Sequence, residues 1–380
     1  SIQIRAGIVV IMIFRGLLYP DGGGVFLRIW GDKMRGLRKY LTPFAPDQSG
    51  AVSVLFELGG IVVICDAGGC TGNVCGFDEP RWFEQKSAIF SAGLRDMDAI
   101  LGRDDRLVAK LADAAQKVDA TFAAVIGTPV PAVIATDYLA LKRMTEKKIN
   151  LPIMTVDTDG MELYDKGEEK AFLELFKTFA IEKYQAEEDR IGILGMTPQD
   201  VSDLKAADKI RDLYRQKYGK QAVCYCMGDG LEEIREASSV SKNIVVSPAA
   251  IMTAKYLEKT FGTPYEIHYP LVDELLPDVD YTGKKVLVVH QQVIADSIRK
   301  ELLKKGVKTV QIASWFMMKK EHLADGDVLL RDEDAYIELV QNGEFDIIFA
   351  DECMKQMTPK FKGIFVNTRH FAVSGKLIGK

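Results

Sequence analysis

The stretch IVVICDAGGCTGNVC, residues 61–75, runs from four β-branched residues straight into a glycine-rich loop carrying three cysteines at intervals of five. An unbroken run of β-branched residues bounded by glycine reads as a buried strand of a parallel sheet, covered on both faces. The abrupt end places Cys65 at the strand's carboxyl edge, where open α/β sheets hold their ligands. Glycines 68, 69, 72 and 76 remove Cβ atoms, so the loop can fold tightly round a bulky group and turn amide N–H groups toward negative charge. Cys65, Cys70 and Cys75, with Gly68 and Gly69 beside them, are therefore the first candidates for a cofactor or metal site.

Outward from this loop, short β-branched runs alternate with amphipathic stretches, the pattern of parallel sheets built from βαβ units. The runs 61–64, 122–127 and 152–156 read as strands, with helices over 104–118, 136–148 and 167–184. After the charged break QAEEDR (185–190), strands are expected at RIGILG, AVCYC and NIVVS. The turn DYTGKK (280–285) then opens a last cycle with KVLVVH, KTVQIA and DIIFA. The expected fold is α/β, three Rossmann-like units over 40–187, 188–280 and 281–380, preceded by a lead over 1–39.

That lead contains AGIVVIMIF (Ala6–Phe14), an apolar run too short to span a bilayer. Met34 is a plausible start, so residues 1–33 are left out of the fold reading. The chain's 380 residues, 47% hydrophobic and 27% charged with a net charge of −5, suit a globular protein and offer no basic patch for nucleic acid. No membrane segment is expected. Six cysteines are too few to staple a chain of this length, which points to reduced thiols in the cytoplasm.

Thiolates are the ligands of iron–sulfur clusters, and three in eleven residues exceed what a zinc site at a strand end usually asks for. Their spacing matches neither the common ferredoxin runs nor paired zinc motifs, and buried cysteines also serve as small hydrophobes. Cys224 and Cys226, at strand alternation in AVCYCMGDG, would share a sheet face; they could add a ligand or pack the core. Cys353 reads as structural. His290 ends the strand KVLVVH and points to the strand-end crevice, while His370 lies near the terminus. Hydrolase motifs of the HExxH and GxSxG kinds do not occur. Nor does a phosphate loop, and GDGLEE (228–233) is not a dinucleotide fingerprint, so this chain is expected to bind no nucleotide itself.

The cysteine loop is followed in order by SAGLRDMDAILGRDDRLVAKL (91–111), VIGTPVPAVIATD (125–137), PIMTVDTDG (152–160), the GDG turn (228–230), NIVVSPAAIMTAKYLEKTFGTPY (243–265) and YTGKKVLVV (281–289). This series, over about residues 40 to 377, resembles the component 1 superfamily of nitrogenase, which includes dark-operative protochlorophyllide reductase, nickel-sirohydrochlorin reductive cyclase and cofactor-assembly scaffolds. The resemblance implies three Rossmann-like domains round a central cavity. It also implies a dimer or higher assembly with an identical or paralogous subunit, and an iron–sulfur cluster, of the [4Fe-4S] type, at the subunit interface. Electrons would come from a separate ATP-dependent iron protein and pass to a small reducible substrate.

Cys70 matches the family's cysteine after the first strand, whereas Pro43 and Pro129 stand near its other two. Cys65 and Cys75 would replace them, with Asp66, a second chain's thiolate or solvent as a further ligand. Ser247 stands where nitrogenase has a cofactor-binding cysteine, and His370 does not align cleanly with the family's terminal histidine; both speak against dinitrogen as substrate. The catalytic residues are not identified at this level. The expected activity is that of an oxidoreductase, and the alternative is a scaffold for a metallocluster or tetrapyrrole without turnover.

Overall fold

A computed structural model describes residues 38–84 and 87–379; the apolar run Ala6–Phe14 and Met34 lie outside them. Three sheets, every strand pair parallel, follow one another along the chain. The first contains β1 (Ile61–Ile64), β2 (Ala88–Ser91), β3 (Ala123–Ile126) and β4 (Ile153–Val156) in the order β2-β1-β3-β4. The second contains β5 (Glu187–Leu194), β6 (Gln221–Cys224), β7 (Val240–Val245) and β8 (Tyr265–Ile267), ordered β6-β5-β7-β8. The third contains β9 (Lys285–Val289), β10 (Thr309–Ser314), β11 (Val328–Leu329), β12 (Ile347–Ala350) and β13 (Ile364–Asn367), ordered β11-β10-β9-β12-β13.

The inner strands β1, β3 and β12 are legible because both faces are covered and every position is apolar and buried; β5, also inner, is apolar and buried only in its second half, after the charged run Glu187 to Arg190. The strands β2, β8, β11 and β13 lie at sheet edges and are partly exposed. Half-covered edges relax the demand for apolar residues, which is why the hydrophobic pattern does not announce them. One expectation is corrected in β6. The strand stops at Cys224, and Cys226 adopts a left-handed φ of 66°, so alternation ends between the two cysteines. Cys224 packs in the cluster that joins the second and third sheets, and Cys226 in the one that joins the first and second.

The helix Tyr164–Phe179 links these layers. Phe172, Leu175 and Phe176 are fully buried in the cluster shared by the first and second sheets, and Phe176 meets Tyr225 edge-on at 5.2 Å. On its other side the helix crosses Asp47–Leu55 almost backbone to backbone. A Cβ at Gly50 would lie 1.9 Å from the Tyr164 carbonyl oxygen, and one at Gly167 would lie 1.7 Å from that of Asp47. Only glycine permits this approach. The crossing fixes the segment that precedes β1 and with it the cysteine loop.

Candidate functional site

The loop begins where β1 ends. Cys65 donates its N–H to Ile126 at 2.9 Å and accepts Thr128 Oγ1 on its carbonyl at 2.7 Å, which ties it to β3. Its side chain follows Ile61 and Val63 onto one sheet face, in a cluster with Leu107, Val108 and Leu111. Burial pushes the thiol up to about 12, because an anion there would lose its hydration. Asp66 is equally buried and organises the loop: its carboxylate accepts Thr71 N–H at 2.8 Å, Thr71 Oγ1 at 3.1 Å and Ser91 Oγ at 2.6 Å. Both its oxygens are engaged, so Asp66 braces the loop.

Gly68, at φ +118°, turns the chain into the short helix Gly69–Asn73, which continues as a π-helical turn over Val74–Asp78. Cys70 is half-buried beside the cluster of Val62, Ile64 and Val74, on the face of β1 opposite Cys65. Burial, assisted by Asp66, raises its thiol. Cys75 is also partly exposed. The loop is then locked by Arg81, which is buried and donates to both Glu79 oxygens, to Glu57 at 2.8 Å, and to the carbonyls of Ser53 and Cys226. Burial opposes the charge on Arg81, but the two carboxylates outweigh it and hold the guanidinium protonated.

Among the described residues no three histidine, cysteine, aspartate or glutamate side chains form a group able to hold a metal ion. The three-thiol grip expected from the spacing is thus not assembled within one chain: Cys65 belongs to the core, and of the three only Cys70 and Cys75 have access to the surface. Cys224 and Cys226, both fully buried in separate clusters, are core residues, and Cys353 is half-buried. A Cβ added at Gly69, Gly72 or Gly76 would meet nothing within 4 Å, and none of the three has a left-handed φ. Among the described residues nothing requires glycine at these three positions.

The carboxyl ends of the three sheets converge on a second polar region that no motif announced. Tyr164, after β4, donates its hydroxyl to Asp200, after β5, at 2.5 Å, and lies 3.2 Å from His370 Nε2, after β13. Thr197 Oγ1 donates to Glu168 at 2.5 Å. His290 stacks on His370 with centroids 4.1 Å apart. It accepts Gln291 N–H on Nδ1 and meets the Arg369 carbonyl through Nε2 at 3.0 Å, so Nε2 carries the proton. Burial, aided by His370, holds His290 neutral, well below the ordinary range. Burial and the nearby Asp200 raise Glu168 well above the carboxylate range. Tyr164, Glu168, Asp200, Phe316 and His370 are all at most 2% exposed. The centre expected to be a cavity is filled at these residues.

Open space lies instead beside the cysteine loop. A chamber of about 810 Å³ is bounded by the segment before Asp47, by residues flanking Cys75, by the turn Pro80–Phe83 and by the C-terminal residues Phe371–Leu377. No helix of the described residues is long and apolar enough to cross a membrane.

The family model for nitrogenase component 1 type oxidoreductases matches residues 47–274. Among solved structures, "Nitrogenase Cp1 at pH 6.5" superposes with a TM-score of 0.66 at 12% identity, covering 88% of this chain and 87% of that chain. "Nitrogenase Cp1 at pH 5" gives 0.65 at 14% identity, covering 90% and 87%. At such identities the likeness is one of fold. No curated protein matches the chain by sequence.

Proposed function

Because the chain belongs to the nitrogenase component 1 type oxidoreductases, we propose that it is the electron-accepting component of a two-part reductase, served by a separate ATP-dependent iron protein. The observation that carries this reading is the cysteine loop: two partly exposed thiols, Cys70 and Cys75, on a braced turn whose glycines leave its surface bare. Such a loop is half of a ligand set, and a second subunit, identical or paralogous, supplies the rest. An iron–sulfur cluster bound there would supply one-electron transfer. The chain's own residues do the positioning. Asp66 holds the helix start, Arg81 fixes the far end of the loop, and Cys65 anchors its root to β3 through backbone hydrogen bonds. The exposed rings of Phe77 and Phe83 would be covered by the partner and keep water from the thiols.

A second reading, a scaffold that holds a metallocluster or tetrapyrrole without turnover, is favoured by the filled centre, where the strand ends leave no room round Tyr164 and His370. The two readings separate on one preparation. Oxygen-free protein should contain iron and sulfide, and Cys70→Ser and Cys75→Ser should each lose most of both, while Cys65→Ser should keep them. Oxidation-state changes on adding an iron protein with ATP support the reductase; transfer of the metal to an acceptor protein supports the scaffold. Iron that survives the double substitution at Cys70 and Cys75, or protein that takes up none, overturns the reductase and the metallocluster scaffold alike, and leaves a tetrapyrrole scaffold to be tested by tetrapyrrole binding.

A further inference from the structure

Where the three sheets converge, Glu168 and Asp200 are fully buried, one on the helix Tyr164–Phe179 and the other after β5. Each has one oxygen engaged by a hydroxyl: Glu168 Oε1 accepts Thr197 Oγ1, and Asp200 Oδ1 accepts the Tyr164 hydroxyl. The second oxygens, Glu168 Oε2 and Asp200 Oδ2, are buried without a partner, and Asp200 is close enough for its charge to act on Glu168. Two empty buried acceptors are costly, and neighbouring buried carboxylates do not both stay ionised. No surrounding group answers them. Asp165, on the same helix, is taken up by the N–H groups of Met317 and Lys166. Arg81, from the cysteine loop, acts on Glu168 from a distance, but its donors are committed to Glu79, Glu57, Ser53 and Cys226. From the third unit, His370 Nε2 lies 3.8 Å from Asp200 Oδ1, beyond hydrogen-bond range and on the oxygen that Tyr164 already occupies, and His290 behind it is neutral. Among the described residues no third histidine, cysteine or carboxylate joins the pair to hold a metal ion. One donor is missing, and a proton on Glu168 Oε2 supplies it to Asp200 Oδ2.

We propose that Glu168 and Asp200 share one proton, and that this proton is a pH-sensitive clasp between the first unit and the second, under the C-terminal segment of the third. That segment is tied down two residues beyond Asp200: Phe371 N–H donates to Ser202 Oγ at 2.7 Å and Ile378 N–H to the Ser202 carbonyl at 2.8 Å. Burial and Asp200 hold the Glu168 carboxyl well above the ordinary range, so the folded chain keeps the proton after the unfolded chain has released its own. The clasp's contribution is fully present below about pH 4 and is lost as pH rises through the folded value. Beyond that point two anions face each other, and the junction slackens.

A substitution cycle on the full chain counts the donors. Glu168→Gln puts an amide N–H in the proton's place, and Asp200→Asn does so from the other side, so each single variant keeps one donor between the pair. Together they set two N–H groups against each other. In urea unfolding at pH 7 the double variant should therefore lose more than about tenfold in the folding equilibrium constant beyond the product of the single effects. Above pH 7, where Asp165, raised to about 6, is largely ionised, Glu168→Gln should gain on the parent by about tenfold per pH unit until the folded chain releases the proton. Infrared spectra of the unaltered protein at pH 8 should show a protonated carboxyl band that moves with deuterium and with heavy carbon placed in glutamate, a reading that needs no variant to fold. At pH 8 the Val201 and Phe371 amides should exchange with solvent faster in the parent than in Glu168→Gln, and at pH 5 equally. An additive cycle, as a bridging water would give, overturns the shared proton, as does a missing glutamate band or a constant stability difference above pH 7. Equal exchange at pH 8 overturns the clasp.

Discussion

Asp165 shows how one buried carboxylate can set the pH response of this fold. Burial, only partly relieved by the N–H groups of Met317 and Lys166, raises it from 3.8 to about 6. A raised carboxylate pKa means that the folded chain holds its proton after the unfolded chain has lost it. Stability from this group is therefore fully present below about pH 4, falls as pH rises toward 6, and is level above that. A shift of two units corresponds to about 3 kcal/mol. Asp165→Asn, which cannot titrate, should remove this slope; urea titrations at pH 4, 5, 6 and 7 should show the difference between variant and parent changing in the variant's favour as pH rises. A constant difference across those four pH values would mean that Asp165 ionises normally in the fold.

At the scale of elements, glycine has two opposite meanings here. In a helix, alanine is better than glycine by about 1 kcal/mol, so substitution should stabilise wherever space permits. At Gly50 it does not, because the added carbon would sit 1.9 Å from a backbone oxygen of the neighbouring helix. Relieving that overlap means separating two helices at their closest approach, so Gly50→Ala should lose about 3 kcal/mol net, read as a lower urea midpoint. Gly72→Ala, by contrast, meets nothing within 4 Å and should leave or slightly raise the stability of the single chain. If its surface is reserved for a second subunit, the same substitution should lower iron content and weaken self-association. A Gly72→Ala protein with full iron content and full association would remove the reason for keeping that surface bare.

For the molecule as a whole, a cluster gripped by two chains would bind only the assembled form, so metal and assembly are linked. Chelation under anaerobic conditions should shift the protein toward monomer in sedimentation velocity, and reconstitution with iron and sulfide should reverse the shift. The covered surface would include Phe77 and Phe83, 77% and 70% exposed in the single chain. An assembly state indifferent to chelation would place the metal, if any, away from the interface. At this scale, too, the three sheets form one body: the clusters of buried residues run from the first sheet into the second and from the second into the third, so a change in one unit is felt in the next.

The succession of parallel sheets and the place of the cysteine loop can be read from the residues alone. Both follow from local rules: strands buried on two faces must be continuously apolar, and a run such as 61–64 that gives way to a glycine-rich loop must open at a strand's carboxyl edge. Edge strands such as β2 and β13 escaped because a half-exposed strand carries a weaker pattern. Which thiols are available depends instead on how the sheets pack. Equal spacing suggested that Cys65, Cys70 and Cys75 act together, but Cys65 sits in strand register with Ile61 and Val63 and is carried into one core, while the turn at Gly68 sends Cys70 to the other face. The same packing brought Tyr164, Asp200 and His370, far apart along the chain, within hydrogen-bonding range. Periodicity along the chain sets which face a residue presents; only the packing of three sheets against one another sets what that face meets.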